Sequence, residues 1–430
     1  MEAEDTFAYY IIRNDIMNKS KVTFLIWIIL LSWILSACAL DPVNSSTPSA
    51  NTPSGEEPAP TVDYGVDLSD NDGWAVRFTG TARGVLVDDG YYYIEDGFLR
   101  YLDMNSGISV YLCSDVLCEH KDESLCEAGI MDPMTPMLIF FADDSLYYVE
   151  MDGYGASVVM RRNAAGMALE KVARLGESFM GKDKSVSVGQ FMLADNWLYY
   201  QMSVDAITMT EYGSEVKAEK QVLCRLNLKT GKDEVLVEFD GGSLGLVSVK
   251  EDAMLYQLVD MPEAEPLYDE DGFPYLPQEY YDQLPDSPSR LMCWNQKTGE
   301  STVLLEKRNF DMKSLKCYGG KVIYYNSAAD ERYGYDLKTG EVAKMELITG
   351  TIINEDYMLH TKDGMQSILN LKTGKTYPIS MQGQSFSVYN RSENWVIFAA
   401  KQGNDRICYY IPMAALADGI QAEEATRFPE

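Results

Sequence analysis

Histidine is almost missing from this chain, with two copies in 430 residues, His120 and His360. A Ser-His-Asp relay needs a histidine to carry its proton, so serine-nucleophile chemistry of that kind is hard to assemble here. No H-E-x-x-H helix and no phosphate-cradling glycine loop occurs in the sequence. Positive charge is also scarce: 36 Lys and Arg face 66 Asp and Glu, a formal net charge of −30. Nucleic acid and a bare anionic membrane surface would both be repelled, and solubility accounts for the acidity. Helical periodicity is lacking outside one apolar segment near the amino terminus, which excludes a helix bundle. Acidic turns such as "DLSDNDG" from Asp67 and "DEDG" from Asp269 do not keep the D-x-[DN]-x-[DN]-G register and distant Glu of a calcium loop.

The apolar segment is "MNKSKVTFLIWIILLSWILSAC", Met17 to Cys38. Lys19 and Lys21 form a basic start, Val22 to Leu35 an apolar stretch, and Leu35-Ser36-Ala37-Cys38 ends it. This is the layout of a secretory signal. The ending resembles the lipobox of bacterial lipoproteins, which implies that Cys38 is acylated and becomes the first residue after cleavage. Residues 1–37 are therefore expected to be the signal segment, with Met17 the working start, because residues 1–16 are acidic and do not fit a signal n-region. The competing reading is an uncleaved transmembrane anchor. Against it, a low-complexity linker begins directly after Cys38, in which "DPVNSSTPSANTPSGEEPAP" (Asp41 to Pro60) has almost no large apolar residue. Residues 38–62 are expected to be a disordered tether that holds the following domain on the order of 25 Å from an extracytoplasmic membrane face.

What fills residues 63–430 is a repeat. "LNLKTG" occurs at Leu226–Gly231 and at Leu369–Gly374, with "WNQKTG" at Trp294–Gly299 and "YDLKTG" at Tyr335–Gly340 between them. Before each copy stands a turn residue followed by an apolar or aromatic run, as in "DDSLYY" from Asp143, "DNWLYY" from Asp195 and "GKVIYY" from Gly320, and seven such runs are found. Alternating strands flank the phrase, and its Gly suits the left-handed position of a tight hairpin. The expected hairpin is a three-residue loop: a type I turn closed by Gly at a bulge. Four short strands per unit, repeated, predict an all-β fold, a β-propeller of about seven four-stranded blades, with six or eight allowed by the degenerate first and last units. The innermost strands are expected to carry or precede Tyr92, Tyr147, Tyr199, Tyr256, Tyr324, Leu359 and Ile397. Ring closure is expected to pair a strand from Trp74–Phe78 with the carboxyl-terminal repeat. From Trp74 onward the chain resembles TolB-like and PQQ-repeat propellers, whose hairpins carry a similar apolar-D-x-x-T-G-K phrase. That phrase is a turn device, so the resemblance implies a fold and leaves activity open. The ligand and ring-stacking residues that a quinone cofactor needs are not found.

The densest chemical cluster is "LCSDVLCEHKDESLC", which spaces Cys113, Cys118, His120 and Cys126 as C-x4-C-x-H-x5-C. Four soft or borderline donors within fourteen residues match a tetrahedral zinc site of structural type. The spacing is not a standard finger pattern, and an exported chain can instead oxidise two of the three thiols or leave them unpaired. The segment resembles Cys/His segments of other propeller lipoproteins, and that resemblance implies a structural role. Cys224, Cys293 and Cys408 fall on the same strand of three different units and Cys317 on an inner strand, where Cys behaves as a small buried hydrophobe. His360 takes a place filled by Tyr in sister repeats, which fits a packing role.

Two insertions interrupt the same hairpin of neighbouring units: one between Tyr200 and Leu223, and a Pro-rich, acidic one over Met261–Arg290 bearing Tyr268, Phe273, Tyr275, Tyr280 and Tyr281. Both should emerge on one face. Exposed aromatics on loops above a rigid scaffold suit contact with a protein or carbohydrate partner, and the competing reading is a lid folded onto its own propeller. Together these features point to a membrane-anchored, non-catalytic binding scaffold at the cell envelope. The alternative is an extracytoplasmic glycan lyase or hydrolase using carboxylates and Tyr at the channel.

Overall fold

The computed structural model describes Trp74 and residues 84–428, apart from residues 123–124, 131–137, 153–154, 164–168, 211–212, 266, 269–273, 319, 346–349, 355, 363, 381–384, 403–404 and 421–424. Cys38, the signal segment and the tether lie outside the described residues.

Seven four-stranded antiparallel sheets occupy residues 84–111, 138–174, 184–239, 242–308, 313–345, 350–378 and 385–427. They are the seven blades of a propeller. In each, the strands lie side by side in chain order. First strands of adjacent sheets abut: Gly84–Val87 lies against Leu138–Ala142, and Gly242–Lys250 lies against both Lys184–Ala194 and Lys313–Tyr318. Each blade therefore runs from its first strand at the centre to its fourth at the rim. The aromatic runs form the second strands, as in Ser145–Met151 and Trp197–Thr210, so the innermost strand is the one preceding each run. Tyr147, Tyr199 and Tyr256 on these second strands are at most 2% exposed and pack between neighbouring blades. Burying one such ring contributes on the order of 4–6 kcal/mol by area, as an upper bound.

The repeated phrase forms the turn between third and fourth strands, with a loop one residue longer than the expected three. In the first copy Asn227 N–H donates to Lys232 O and Gly231 N–H to Asn227 O, which leaves four residues between the paired positions. The reason lies in the phrase's second residue. The Asn227 side-chain oxygen accepts from the N–H groups of Lys229 (3.1 Å) and Thr230 (2.9 Å), which holds these residues in a helical turn before Gly231 reverses the chain at φ 69°. Asn295, Asp336 and Asn370 do the same in the other copies, and Asp103 does so in the first blade.

Three further features differ from expectation. Among the described residues the seventh sheet takes all four strands from residues 385–427, and residues 75–78 of the expected closing strand lie outside them. Trp74, the one described residue of the expected closing strand, lies instead against the core shared by the fourth and fifth blades, with Lys250 Nζ 5.1 Å from its ring centroid. The first insertion is a lengthening of the hairpin itself, with strands Trp197–Thr210 and Gly213–Asn227. The second contains a short α-helix, Gln278–Gln283, that local alternation did not reveal.

Candidate metal centre and docking face

The Cys/His segment follows the outermost strand of the first blade, Ile108–Tyr111, and leads toward the second blade. Two tight turns bring its ends together. Asp115 accepts from Leu117 N–H on its side chain and from Cys118 N–H on its carbonyl, folding Cys113 and Cys118 toward each other. Asp122 O accepts from Cys126 N–H, and Cys126 O from Gly129 N–H. Ser114 joins the two turns: its N–H and hydroxyl both donate to Glu127 Oε2, at 3.0 and 2.6 Å, and hold that carboxyl below the usual range.

The result brings all four expected residues together. One donor atom from each of Cys113, Cys118, His120 and Cys126 lies within 4.8 Å of every other, and this cluster is able to hold a metal ion. The described cysteines are all free thiols. His120 Nδ1 is 3.3 Å from Cys126 Sγ. The histidine backbone is left-handed, φ 50°, a conformation that costs a non-glycine residue about 1–2 kcal/mol. Its ring stacks on Tyr111, centroids 4.1 Å apart, and the Arg100 guanidinium covers Tyr111 at 4.7 Å. Burial pushes the Cys126 thiol up to about 11, with the neighbouring Cys118 and Cys113 adding to it, while Ala128 N–H donates to its sulfur and opposes the rise.

Two residues of this surrounding were not legible beforehand. Tyr111 precedes the first Cys by two positions and carries no metal signal. Arg162, on the third strand of the second blade and only 3% exposed, donates to the Glu127 carbonyl and so ties the segment to the next blade.

Cys224 and Cys293, on third strands, are buried, and burial pushes their thiols up to about 12 and 11. Burial likewise raises Cys317, on an innermost strand, to about 12. At neutral pH these three stay protonated and unreactive. Cys408 shares the third-strand position in the seventh blade, and His360 is half-buried on the second strand of the sixth.

In the large insertion, Leu267–Tyr268 pairs with Pro274–Tyr275 as a small ribbon, and Tyr268, Tyr275 and Tyr281 are each more than 40% exposed. Tyr280 is half-buried and meets Tyr281 edge-on, while Phe273 lies outside the described residues. The insertion's last turn is docked on its own blade through Asn309 Nδ2, which donates to Leu284 O at 3.1 Å.

Exposed apolar side chains are unevenly distributed. Eleven of the seventeen large ones lie at the second-to-third-strand hairpins or on the Cys/His segment, which share one face, and the other six lie on outermost strands. Of those six, Ile108, Leu169 and Val342 open their strands beside the turns of the opposite face, where the repeated phrases lie. That opposite face holds a cleft of about 420 Å3 between the third and fourth blades, lined in part by Asp195, Trp197, Tyr199 and Glu251.

No family model and no curated protein matches the chain. Among solved structures, the chain is similar to an oligogalacturonate lyase in complex with manganese, at 14% identity and a TM-score of 0.47 over 80% of this chain and 91% of that one. It is also similar to the β-propeller domain of the Trilobed protease from Pyrococcus furiosus, described as having an open velcro topology, at 10% identity and 0.46 over 83% and 98%. A third likeness is to TolB from Acinetobacter baumannii, at 14% and 0.34 over 81% and 82%. At such identities and scores nothing about activity carries over.

Proposed function

We propose that this chain is a membrane-anchored extracytoplasmic lipoprotein, tethered through Cys38, whose propeller is a non-catalytic scaffold for a protein or carbohydrate partner at the cell envelope. One observation supports the scaffold reading above others: among the described residues, eleven of the seventeen large apolar side chains left in solvent lie on one face. Solvent-facing apolar surface that gathers in one region favours association. Tyr268, Tyr275 and Tyr281 supply broad, stiff contact area there. The formal charge of −30 argues for a neutral or basic partner and against nucleic acid.

The test starts from residues 63–430, immobilised and offered to a glycan array and to envelope extracts under crosslinking. Replacing Tyr268, Tyr275 and Tyr281 together by Ala should weaken the captured interaction at least about tenfold, the effect of roughly 1.4 kcal/mol. The melting temperature should stay close to that of the parent. Unchanged affinity in the triple variant defeats the reading.

A second reading, a lyase or hydrolase acting on glycans, has one observation in its favour: the cleft that sets Asp195 and Glu251 beside Trp197 and Tyr199. Carboxylates flanking aromatic rings suit acid-base work on sugars. Product analysis of glycans incubated with the protein, and with Asp195→Asn and Glu251→Gln, separates the two readings. Turnover abolished by these substitutions establishes the enzyme.

A further inference from the structure

We propose that Cys113, Cys118, His120 and Cys126 form a closed, structural zinc(II) site that orders the segment between the first and second blades. The donor set is three sulfurs and one imidazole nitrogen, soft to borderline ligands that suit zinc and disfavour calcium or magnesium. Bond lengths of about 2.0–2.3 Å place tetrahedral donors roughly 3.5–4 Å apart. The donors here lie within 4.8 Å of one another and His120 Nδ1 is already 3.3 Å from Cys126 Sγ, so small side-chain rotations suffice.

A second, independent observation concerns what else orders this segment. The described residues of 112–130 contain no strand longer than an isolated bridge, Phe98 to Gly129. Val116, Leu117 and Leu125 are 95%, 85% and 83% exposed. The segment's buried residues are Cys126 and Ala128, packed on Phe98, and Ile130 at its end. This burial, with the bonds of Ser114 and Arg162 to Glu127, offsets only part of the roughly 1–2 kcal/mol of backbone entropy lost per ordered residue. A cross-link among the four donors supplies what burial does not. It also accounts for the left-handed His120, whose strain brings the imidazole back onto Cys126.

The surroundings fit a metal. Ala128 N–H donates to Cys126 Sγ at 3.4 Å, the kind of outer hydrogen bond that steadies a thiolate ligand, and Tyr111 fixes the plane of the His120 ring. On binding, three S–H bonds break, three protons leave to solvent, and three Zn–S bonds and one Zn–N bond form. The centre then carries one net negative charge. Four protein ligands leave no open position for substrate, so the site is structural rather than catalytic. The assignment stands apart from the partner-binding reading and survives its failure.

The test uses residues 63–430, stripped of metal by a chelator under reducing conditions and titrated with cobalt(II), then zinc(II). One cobalt per chain should bind, with the visible bands of tetrahedral thiolate coordination, and zinc should displace it. Cys118→Ser should weaken zinc binding by more than the roughly 10–100-fold that follows loss of an outer-shell partner, whereas Cys224→Ser should leave the stoichiometry at one. A readout that needs no variant is trypsin cleavage after Lys121, whose side chain is 78% exposed: the stripped protein should be cut and the zinc-loaded protein protected. Substoichiometric or octahedral cobalt, equal cleavage in both forms, or a disulfide joining two of the three thiols in protein purified without reductant would each overturn the proposal.

Discussion

The side-chain amide of Asn390 donates to the carbonyl of Gly84 at 2.8 Å, joining residues 306 positions apart where the seventh blade meets the first. Asn390 sits at a break in register of its innermost strand, and its own side-chain oxygen accepts from Arg391 N–H. Gly84 opens the innermost strand of the first blade, where a Cβ would lie 2.2 Å from the Tyr91 hydroxyl. With no strand shared between first and last blades among the described residues, this bond and the packing of Leu86, Tyr91, Ile397 and Tyr410 hold the seam. Asn390→Asp keeps the size and removes the donor, setting a carboxylate against a carbonyl. A loss of about 1–3 kcal/mol is expected, seen as a lower melting temperature by calorimetry. An unchanged melting temperature would show that the seam does not depend on this bond.

The repeated turns allow backbone strain to be separated from blade packing. Gly231 and Gly374 share a φ of 69°, but a Cβ on Gly231 would lie 2.7 Å from Val172 O of the neighbouring blade, whereas one on Gly374 has nothing within 4 Å. Gly374→Ala should cost about 1–2 kcal/mol, the strain of a left-handed alanine. Gly231→Ala should cost clearly more, since backbone of the second blade must give way. Equal denaturant midpoints for the two variants would remove the inter-blade contact from the account.

Asp336 replaces Asn in one copy of the phrase, and this makes that turn sensitive to pH. The N–H groups of Thr339 first, then Lys338, hold its carboxyl below the ordinary carboxylate range. A depressed folded value means that the contribution is present above the unfolded value of about 3.9 and is lost as pH falls through the folded one. Asp336→Asn retains the acceptor and does not titrate. Its melting temperature relative to the parent should therefore rise between pH 7 and pH 3, and a difference independent of pH refutes this.

Cys38→Ala tests the anchor. Cells expressing the parent and fed a labelled fatty acid should incorporate label into the mature chain, and the variant should incorporate none and be released or left unprocessed. Equal labelling ends the lipoprotein reading.

The sequence by itself determined the elements whose cause is local. In the first, third, fourth, fifth and sixth blades the turn is made within six residues, by an Asn or Asp that bonds to N–H groups two and three positions on and by a Gly that reverses the chain, so a propeller of about seven blades could be read from the repeat, with six or eight left open by its degenerate ends. Cys113, Cys118, His120 and Cys126 were legible as a donor set from their types and spacing, and the turns at Asp115 and Asp122 then bring them together. The turn is one residue longer than its sequence suggests, because the Asn227 side chain caps it. Only the tertiary structure decided where distant segments meet. Trp74 reaches the fourth and fifth blades, Arg162 reaches Glu127, and Asn390 reaches Gly84. These contacts follow from the curvature of the closed ring, which places residues side by side irrespective of their separation along the chain. The same holds for the apolar face: alternation along a strand tells inside from outside, but which end of a hairpin looks toward which face of the propeller is settled when seven blades align around one axis.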